Sequence, residues 1–498
     1  MNEILCKRIY EPAKPADGFR ILVDRLWPRG IRKETAAIDL WRKDIAPTAE
    51  LRKWFAHTPE RYEEFTERYR QELDGNPAAQ IFADQCREKL QSGNMTLLYA
   101  AKSGQYNNAS VLKQWLEKRI KSNSWNLSDE GHLFIGKDFL LTNSTRSQFY
   151  GQAEKVVSAE FEAGTKIIPD HIFSYCENLR SVIIPEGVLR IEESAFYGCR
   201  SLKEIRLPES LETIGEWAFQ DCYSLESLII PTNVKEIGRM AFCISSEGKS
   251  LKRIDVHPDN LHFASVDGVL FTKDMKELIK YPPGSRRRKY RIPKTVEALQ
   301  EDCFSYAVYL HLIEIPDGLK RLGGGDFEFC ERLREMHIPE GVDVIPGYEF
   351  FCCKSLEHLT LPKTLKWLGS ESICNCTKLK ELTIPSGFDQ LEYAAVAGNE
   401  TITELVIPEG ITEINNSACY GNYAMKKVVI PTTVWAIWEK AFRFCTSLEE
   451  ITIPENVEHI TDDAFADCPN LKKIVLKSKK LGSMDWVPEG AEVVVNET

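Results

Sequence analysis

From Pro185 almost to the end of the chain, apolar and polar positions recur in a frame of 23 residues. Around Pro208, Leu202, Ile205 and Leu207 precede the proline, and Leu211, Ile214 and Phe219 follow it. The frame returns at Pro231, Pro293, Pro316, Pro339, Pro362, Pro385, Pro408, Pro431 and Pro454. Eleven places after most of these prolines stands an aromatic (Phe196, Phe219, Phe304, Phe442), and fourteen places after stands a cysteine (Cys199, Cys222, Cys330, Cys445). A period of this length is the signature of a solenoid, because one coil cannot bury its apolar side alone and stacking supplies the core. Leu202, Ile205 and Leu207 are expected to point inward from a short strand and Glu204 and Arg206 outward; the proline, lacking an N–H, ends the strand. Ala218-Phe219 predicts a helical turn on the opposite side of the coil. With strands stacked about 4.8 Å apart, about twelve coils predict a rod or arc roughly 60 Å long.

The frame is interrupted once, between Pro231 and Pro293, where loop material enters at Ser245-Ser-Glu-Gly248 and an island follows at about 259–292. Phe263 to Phe271 and Glu277 to Tyr281 predict a hairpin there, with turns at Asp267-Gly268 and Lys273-Asp274. The solenoid is placed at 161–498, and its first coil, near Phe161, lacks the proline but keeps Phe173, Cys176 and Leu179. Residues 122–160 predict a linker, at Lys121 to Ser124, and a capping hairpin from Trp125-Asn-Leu and Leu133-Phe-Ile around Ser128-Asp-Glu-Gly131.

The pattern before residue 121 is different. Ile4 to Ile9, Phe19 to Val23 and Met95 to Ala101 read as strands. Helical spacing predicts helices near 36–44, 48–56, 59–73 and 77–91, and another, capped by Asn107 or Asn108, through Val111, Leu112, Trp115 and Leu116. Strand alternating with helix predicts a small α/β domain, 1–121, with a mainly parallel sheet.

Both patterns resemble known families. The unit leucine-x-x-isoleucine-x-isoleucine-proline, followed by alanine-phenylalanine-x-x-cysteine, resembles the BspA-type leucine-rich repeat over about two thirds of the chain. Leu5-Cys-Lys-Arg-Ile-Tyr-Glu-Pro12, Val23-Asp-Arg-Leu-Trp-Pro-Arg-Gly30, Leu51-Arg-Lys-Trp-Phe-Ala-His57, Leu97-Leu-Tyr-Ala-Ala101 and Asn107-Asn-Ala109 resemble the YeaO-like family, domain-of-unknown-function family 488, over residues 3 to 120. The first resemblance implies a protein-binding solenoid; the second brings no assigned reaction.

Charge separates the two parts. Residues 1–120 carry 21 Lys+Arg against 17 Asp+Glu, a balance of +4, while the rest carries −15. Met1 to Tyr10 shows no signal-peptide core, and no apolar run approaches the roughly 20 residues that cross a bilayer. A cytoplasmic chain with no membrane contact is the expectation. In that reducing setting the cysteine column reads as structural thiols. Asn399 and Asn422 occupy the same column, the interchange expected where a side chain bonds to buried loop backbone. Cys330, Cys352, Cys353, Cys374 and Cys376 cluster in neighbouring coils, but the repeat explains three of the five and no metal is expected. Arg286-Arg-Arg-Lys289 is the most basic run, read as a solvated loop with no nucleic acid expected.

Candidate chemistry gathers at the carboxyl ends of the predicted parallel strands, where ligands of such sheets bind. Arg25 and Arg29, with Asn107 and Asn108 at a helix start, suit an anion such as a phosphate or carboxylate. Asp24, His57 and Tyr99 are the candidates for proton handling; equally, Arg25 could pair with a carboxylate and His57 could cap a helix. No P-loop, GxGxxG, HExxH or paired CxxC motif occurs, so no cofactor is named. On the solenoid, the outward column two places before each proline includes Arg206, Ile229, Glu314, His337, Thr360, Thr383, Val406 and Val429. Its recurring aliphatics are either ordinary strand formers or a partner surface. The expected function is an intracellular protein whose solenoid binds a protein partner and whose small domain binds or processes an anionic small molecule. A non-enzymatic adaptor and an exported adhesin are the alternatives.

Overall fold

The structure is a computed structural model that describes residues 3–33, 36–122, 125–137, 139, 151–244, 250–387 and 390–495. The expected loop at 245–248 lies outside these residues. The chain divides into two compact units, Met1–Ser128 with Leu133–Gln152, and Asp129–His132 with Ala153–Thr498.

The first unit holds a four-stranded sheet, β1 (Ile4–Arg8), β2 (Phe19–Leu22), β3 (Leu40–Trp41) and β4 (Met95–Tyr99), in the order β1-β4-β2-β3 and parallel throughout. Helices α1 (Ala49–Phe55), α2 (Tyr62–Asp74), α3 (Pro77–Ser92) and α4 (Asn108–Ser122) follow the expected spacing. Side chains alternate across the strands. Ile21, Met95, Leu97 and Tyr99 face a core filled by Phe55, Phe65, Tyr69, Phe82 and Leu112 from the helices, while Leu22 and Leu98 face the other way. That other face explains a misread element. The expected helix at 36–44 is instead β3, because Leu40 and Trp41 pair with Ile21 and Leu22, and Ile38 and Trp41 join Trp27 in covering Leu22 and Leu98. The Trp27 and Trp41 rings meet edge-on at 5.3 Å. The linker expected from Lys121 begins inside α4, which continues to Ser122.

The second unit is the solenoid. Most coils carry the expected strand before the proline, for example Leu312–Glu314, Glu335–His337 and His358–Thr360 in parallel ladder. The strand expected before Pro208 does not form, although Leu202 and Leu207 are buried as expected, and before Pro385 only Glu381 bridges to His358. A second ladder was not foreseen: two-residue strands such as Arg190–Ile191, Thr213–Ile214 and Glu236–Ile237 also stack in parallel. The expected helical turn at Ala218-Phe219 is corrected as well. The segment is a run of turns whose N–H groups bond the next coil, Phe196 to the Ala218 carbonyl and Phe219 to the Ala241 carbonyl, both at 2.8 Å. Aiming these donors along the stack requires left-handed residues at Trp217 (φ 55°) and Asp221 (φ 59°), which an α-helical turn excludes.

The aromatic column packs ring on ring, Phe173–Phe196 at 5.2 Å and Phe196–Phe219 at 5.1 Å. In the island, Phe263–Val266, Val269–Thr272 and Glu277–Lys280 form an antiparallel meander. Its last strand rejoins the second ladder at Ala298–Leu299, and Tyr281 stacks on Phe304 at 5.1 Å, continuing the column. At the amino end, strands Trp125–Leu127 and His132–Ile135 pair antiparallel, and the Gly131 carbonyl at their turn accepts from Val157 N–H at 2.8 Å.

The cysteine column behaves as its exchange with asparagine suggests. Cys353 Sγ donates to the Phe327 carbonyl, 26 residues back, at 3.1 Å, and Cys330, Cys376 and Cys468 do the same in their own coils. Asn399 Nδ2 makes the equivalent bond to the Ile373 carbonyl at 2.8 Å, and its Oδ1 also accepts from Cys376 N–H. All fifteen cysteines are free thiols. Among the described residues no group of His, Cys, Asp and Glu side chains is placed to hold a metal ion, and no helix is long and apolar enough to cross a membrane.

Candidate functional site

The segments that follow β1, β2 and β4 line a cavity of about 350 Å³ in the first unit. Its wall contains Tyr10 after β1, Asp24 to Arg29 after β2, Ala100 and Ala101 after β4, and Asn108 at the start of α4. Arg52 and Phe55 come from α1, and His57 from its end. Parallel strands end together, so residues far apart in sequence share one rim.

Asp24 is a brace. Its Oδ2 accepts from Ala100 N–H at 2.8 Å, its Oδ1 from Asn108 Nδ2 at 3.2 Å, and its carbonyl from the Trp41 indole at 2.8 Å. Burial pushes its carboxyl above the usual value, against the two hydrogen bonds and the charges of His57 and Arg52, which favour the anion. Asn108 Nδ2 also donates to the Val23 carbonyl, tying α4 to β2.

The cations are arranged differently. Arg25 lines the cavity, and its Nε donates to the Pro47 carbonyl at 3.2 Å. Arg29 follows Pro28 in a turn closed by Gly30 at φ 80°, and its carbonyl accepts from the Tyr10 hydroxyl at 3.2 Å. Arg52 sits one turn before the end of α1. Among the described residues none of the three forms an ion pair. His57 reaches the cavity because Ala56 (φ 44°) and His57 (φ 57°) are both left-handed, reversing the chain at the end of α1. Consecutive non-glycine residues in that region store strain, and such strain concentrates at functional sites. The His57 ring meets Phe55 edge-on at 5.4 Å.

The cavity thus gathers Asp24, Arg25, Arg29, His57 and Asn108, and leaves out two other candidates. Tyr99 ends β4 on the helix side and is buried in the core, which raises its phenol. Asn107 is a buried cap: its Oδ1 accepts from Ser110 N–H at 2.9 Å and its Nδ2 donates to the Ser103 and Gly104 carbonyls. Arg52 was not singled out from the sequence, although it lies in the string Leu51 to His57. Only the end of α1 distinguishes it from Lys53.

On the solenoid, Arg206, Ile229, Glu314, His337, Thr360, Thr383, Val406 and Val429 are all exposed, with Ile229 at 63% and Val406 at 51%. A groove of about 460 Å³ opens beside Val429 and Thr452, rimmed by Lys426, Lys427, Glu449, Glu450 and Lys477.

Comparison with known proteins matches each half separately. Six copies of the BspA type leucine rich repeat region fall on residues 144–265, 286–403 and 376–484, and a model described as the inactive DUF488-N3 subclade matches residues 3–131. The chain belongs to the BspA type leucine rich repeat proteins, with a YeaO-like DUF488 domain at its amino end. This domain is 47% identical over 118 residues to the uncharacterized protein YeaO of Escherichia coli K12, spanning 23% of this chain and 96% of that one. It is 41% identical over 112 residues to an uncharacterized protein of Mycobacterium tuberculosis H37Rv, spanning 22% of this chain and 92% of that one. The repeat array superposes on a leucine-rich repeat protein from Eubacterium ventriosum with a TM-score of 0.51 and 23% identity, over 69% of this chain and 92% of that one. That likeness concerns the fold alone.

Proposed function

We propose that the YeaO-like domain is a receptor for a small anion, joined to a leucine-rich repeat array that recognises a protein partner. One observation carries the reading: Arg25, Arg29 and Arg52 line one cavity without ion-pair partners, against a single carboxylate already held by Ala100 and Asn108. Unpaired guanidiniums gathered around a concave site with apolar walls from Trp27, Phe55 and Phe65 suit a phosphate or carboxylate on a small organic body. The description of the matching family as inactive favours capture over turnover, and so does an Asp24 engaged in bracing rather than free. Fifteen free thiols, fourteen of them buried, support a reducing compartment such as the cytoplasm.

The test is calorimetry of the full chain with inorganic phosphate, adenosine monophosphate and citrate as probes. Binding of at least one probe is expected, with loss of roughly tenfold or more in affinity in Arg52→Ala, since charge-assisted hydrogen bonds contribute about 1.5–3 kcal/mol. Binding that is unchanged in Arg52→Ala and in Arg25→Ala sinks the reading.

A further inference from the structure

Along most of the solenoid a basic side chain meets an acidic partner one coil away. Lys252 pairs with Glu226, Lys380 with Glu357, Lys427 with Glu404 and Lys473 with Glu450, each at 2.5–2.9 Å. The rule fails at Arg180 and Lys203 on two successive coils, and over a longer run further along the array. In the position just before the strand, three successive coils carry Arg288, His311 and Arg334. They occupy adjacent rungs, for His311 N–H donates to the Arg288 carbonyl at 2.7 Å and Arg334 N–H to the His311 carbonyl at 3.1 Å. Partial desolvation and the charges of Arg334, Arg288 and Arg332 hold the His311 imidazole below its ordinary value. The next rung, Glu357, is already paired with Lys380. Arg286, Arg288, Lys289 and Arg334 are exposed, and among the described residues none of them forms an ion pair. Like charges on neighbouring strands destabilise a sheet, so the fold gains nothing from this column.

We propose that Arg288, His311 and Arg334 form a docking site for a short, doubly phosphorylated peptide segment of a partner protein. The inference rests on the protein-recognition reading of the array and narrows its partner. Length decides the class of anion. Three rungs at about 4.8 Å span about 10 Å, the reach of about three extended residues. Beyond Arg334 a longer polyanion would run onto Glu357, in an array that carries a net negative charge. Nucleic acid therefore fits poorly, and the site offers no exposed aromatic for base stacking: Tyr290 packs against the core, and the Tyr309 ring lies under Arg332.

The experiment measures fluorescence anisotropy of a fluorescein-labelled acidic peptide carrying phosphoserine-x-phosphoserine, titrated with the full chain at low salt. Binding is expected, with loss of roughly tenfold for each of Arg288→Ala and Arg334→Ala, and retention in Arg52→Ala, which excludes the cavity of the YeaO-like domain. Circular dichroism of each variant confirms an intact array; should either alanine variant unfold, Arg288→Gln and Arg334→Gln replace them. The proposal is overturned if the unphosphorylated peptide with serines binds equally, if single-stranded DNA of twelve nucleotides binds more tightly, or if no peptide binds. Val406→Asp keeps this failure apart from that of the broader reading. A partner that is lost from Val406→Asp but still bound by Arg288→Ala leaves array recognition standing and removes the basic column from it.

Discussion

Ten places after most of the prolines the repeat carries a buried alanine, as at Ala195, Ala218, Ala395, Ala418, Ala441 and Ala464. In four successive coils this position holds Cys303, Asp326, Glu349 and Ser372, all fully buried. Asp326 Oδ1, both Glu349 carboxyl oxygens and Ser372 Oγ have no hydrogen-bond partner. Burial drives both carboxyls up, Asp326 to about 7 and Glu349 well above its ordinary value; the charge of Asp302 adds to the rise at Asp326, and that of Asp326 to the rise at Glu349. A carboxyl raised on folding keeps its proton in the native state after the unfolded chain has released it. Its stabilising contribution is therefore complete below about pH 4, is lost as pH rises through about 7, and is constant above that. For Asp326 the rise from 3.8 to about 7 is roughly three units, or about 4 kcal/mol at about 1.4 kcal/mol per unit. Asp302, raised to about 6, and Glu328, raised to about 7, act in the same direction. The perturbation is Glu349→Gln, which keeps the shape, removes one charge and supplies an amide donor facing Asp326. Urea unfolding of the full chain followed by circular dichroism at about pH 5 and about pH 8 is the assay. The native chain should lose stability between the two values. Glu349→Gln should be more stable than it at the higher value and nearly equal at the lower, because the glutamine has no proton to lose. An equal shift at both values, or none at pH 8, would refute the protonation of these buried carboxyls in the native state.

Other consequences are smaller and separable. Cys353→Ala removes the bond to the Phe327 carbonyl, which keeps a second donor in Cys330 N–H, and should cost about 1–2 kcal/mol; Cys353→Asn, copying Asn399, should cost less, both measured by urea midpoint. Phe196→Ala opens the ring column between Phe173 and Phe219 and should cost about 3–5 kcal/mol. Burial lifts the thiols of Cys176 and Cys374 to about 12, so a thiol reagent at neutral pH should modify the folded array slowly and the urea-unfolded chain fully. Ala56→Gly, which relieves one of two left-handed residues, should leave the fold intact and stable, yet weaken phosphate binding by loosening His57 and α1.

Much of the architecture was set by the sequence alone. A 23-residue period admits only a stack, since each coil leaves residues such as Leu333, Met336 and Ile338 without a core until a neighbour covers them, and Pro339 fixes where the strand stops. The interchange of Cys353 and Asn399 foretold a side chain bonded to buried backbone, because those residue types share little else. The parallel α/β domain, and the gathering of Asp24, Arg25, Arg29 and Asn108 at one sheet edge, followed from strand order, which periodicity reveals. Tertiary structure decided the rest. Leu40 and Trp41 became a strand because Leu22 and Leu98 needed a cover on the face opposite the helices, and no local pattern records that need. The turn after Ala218 is not helical because its N–H groups find carbonyls in the next coil, a partner 22 residues away that no local helical preference records. Tyr99 and Asn107 left the site through facing and capping, which depend on a side chain's direction rather than its position. Arg52 entered it because α1 ends where it does. Charge pairing across coils likewise exists only once they stack, and only then do Arg288, His311 and Arg334 stand together.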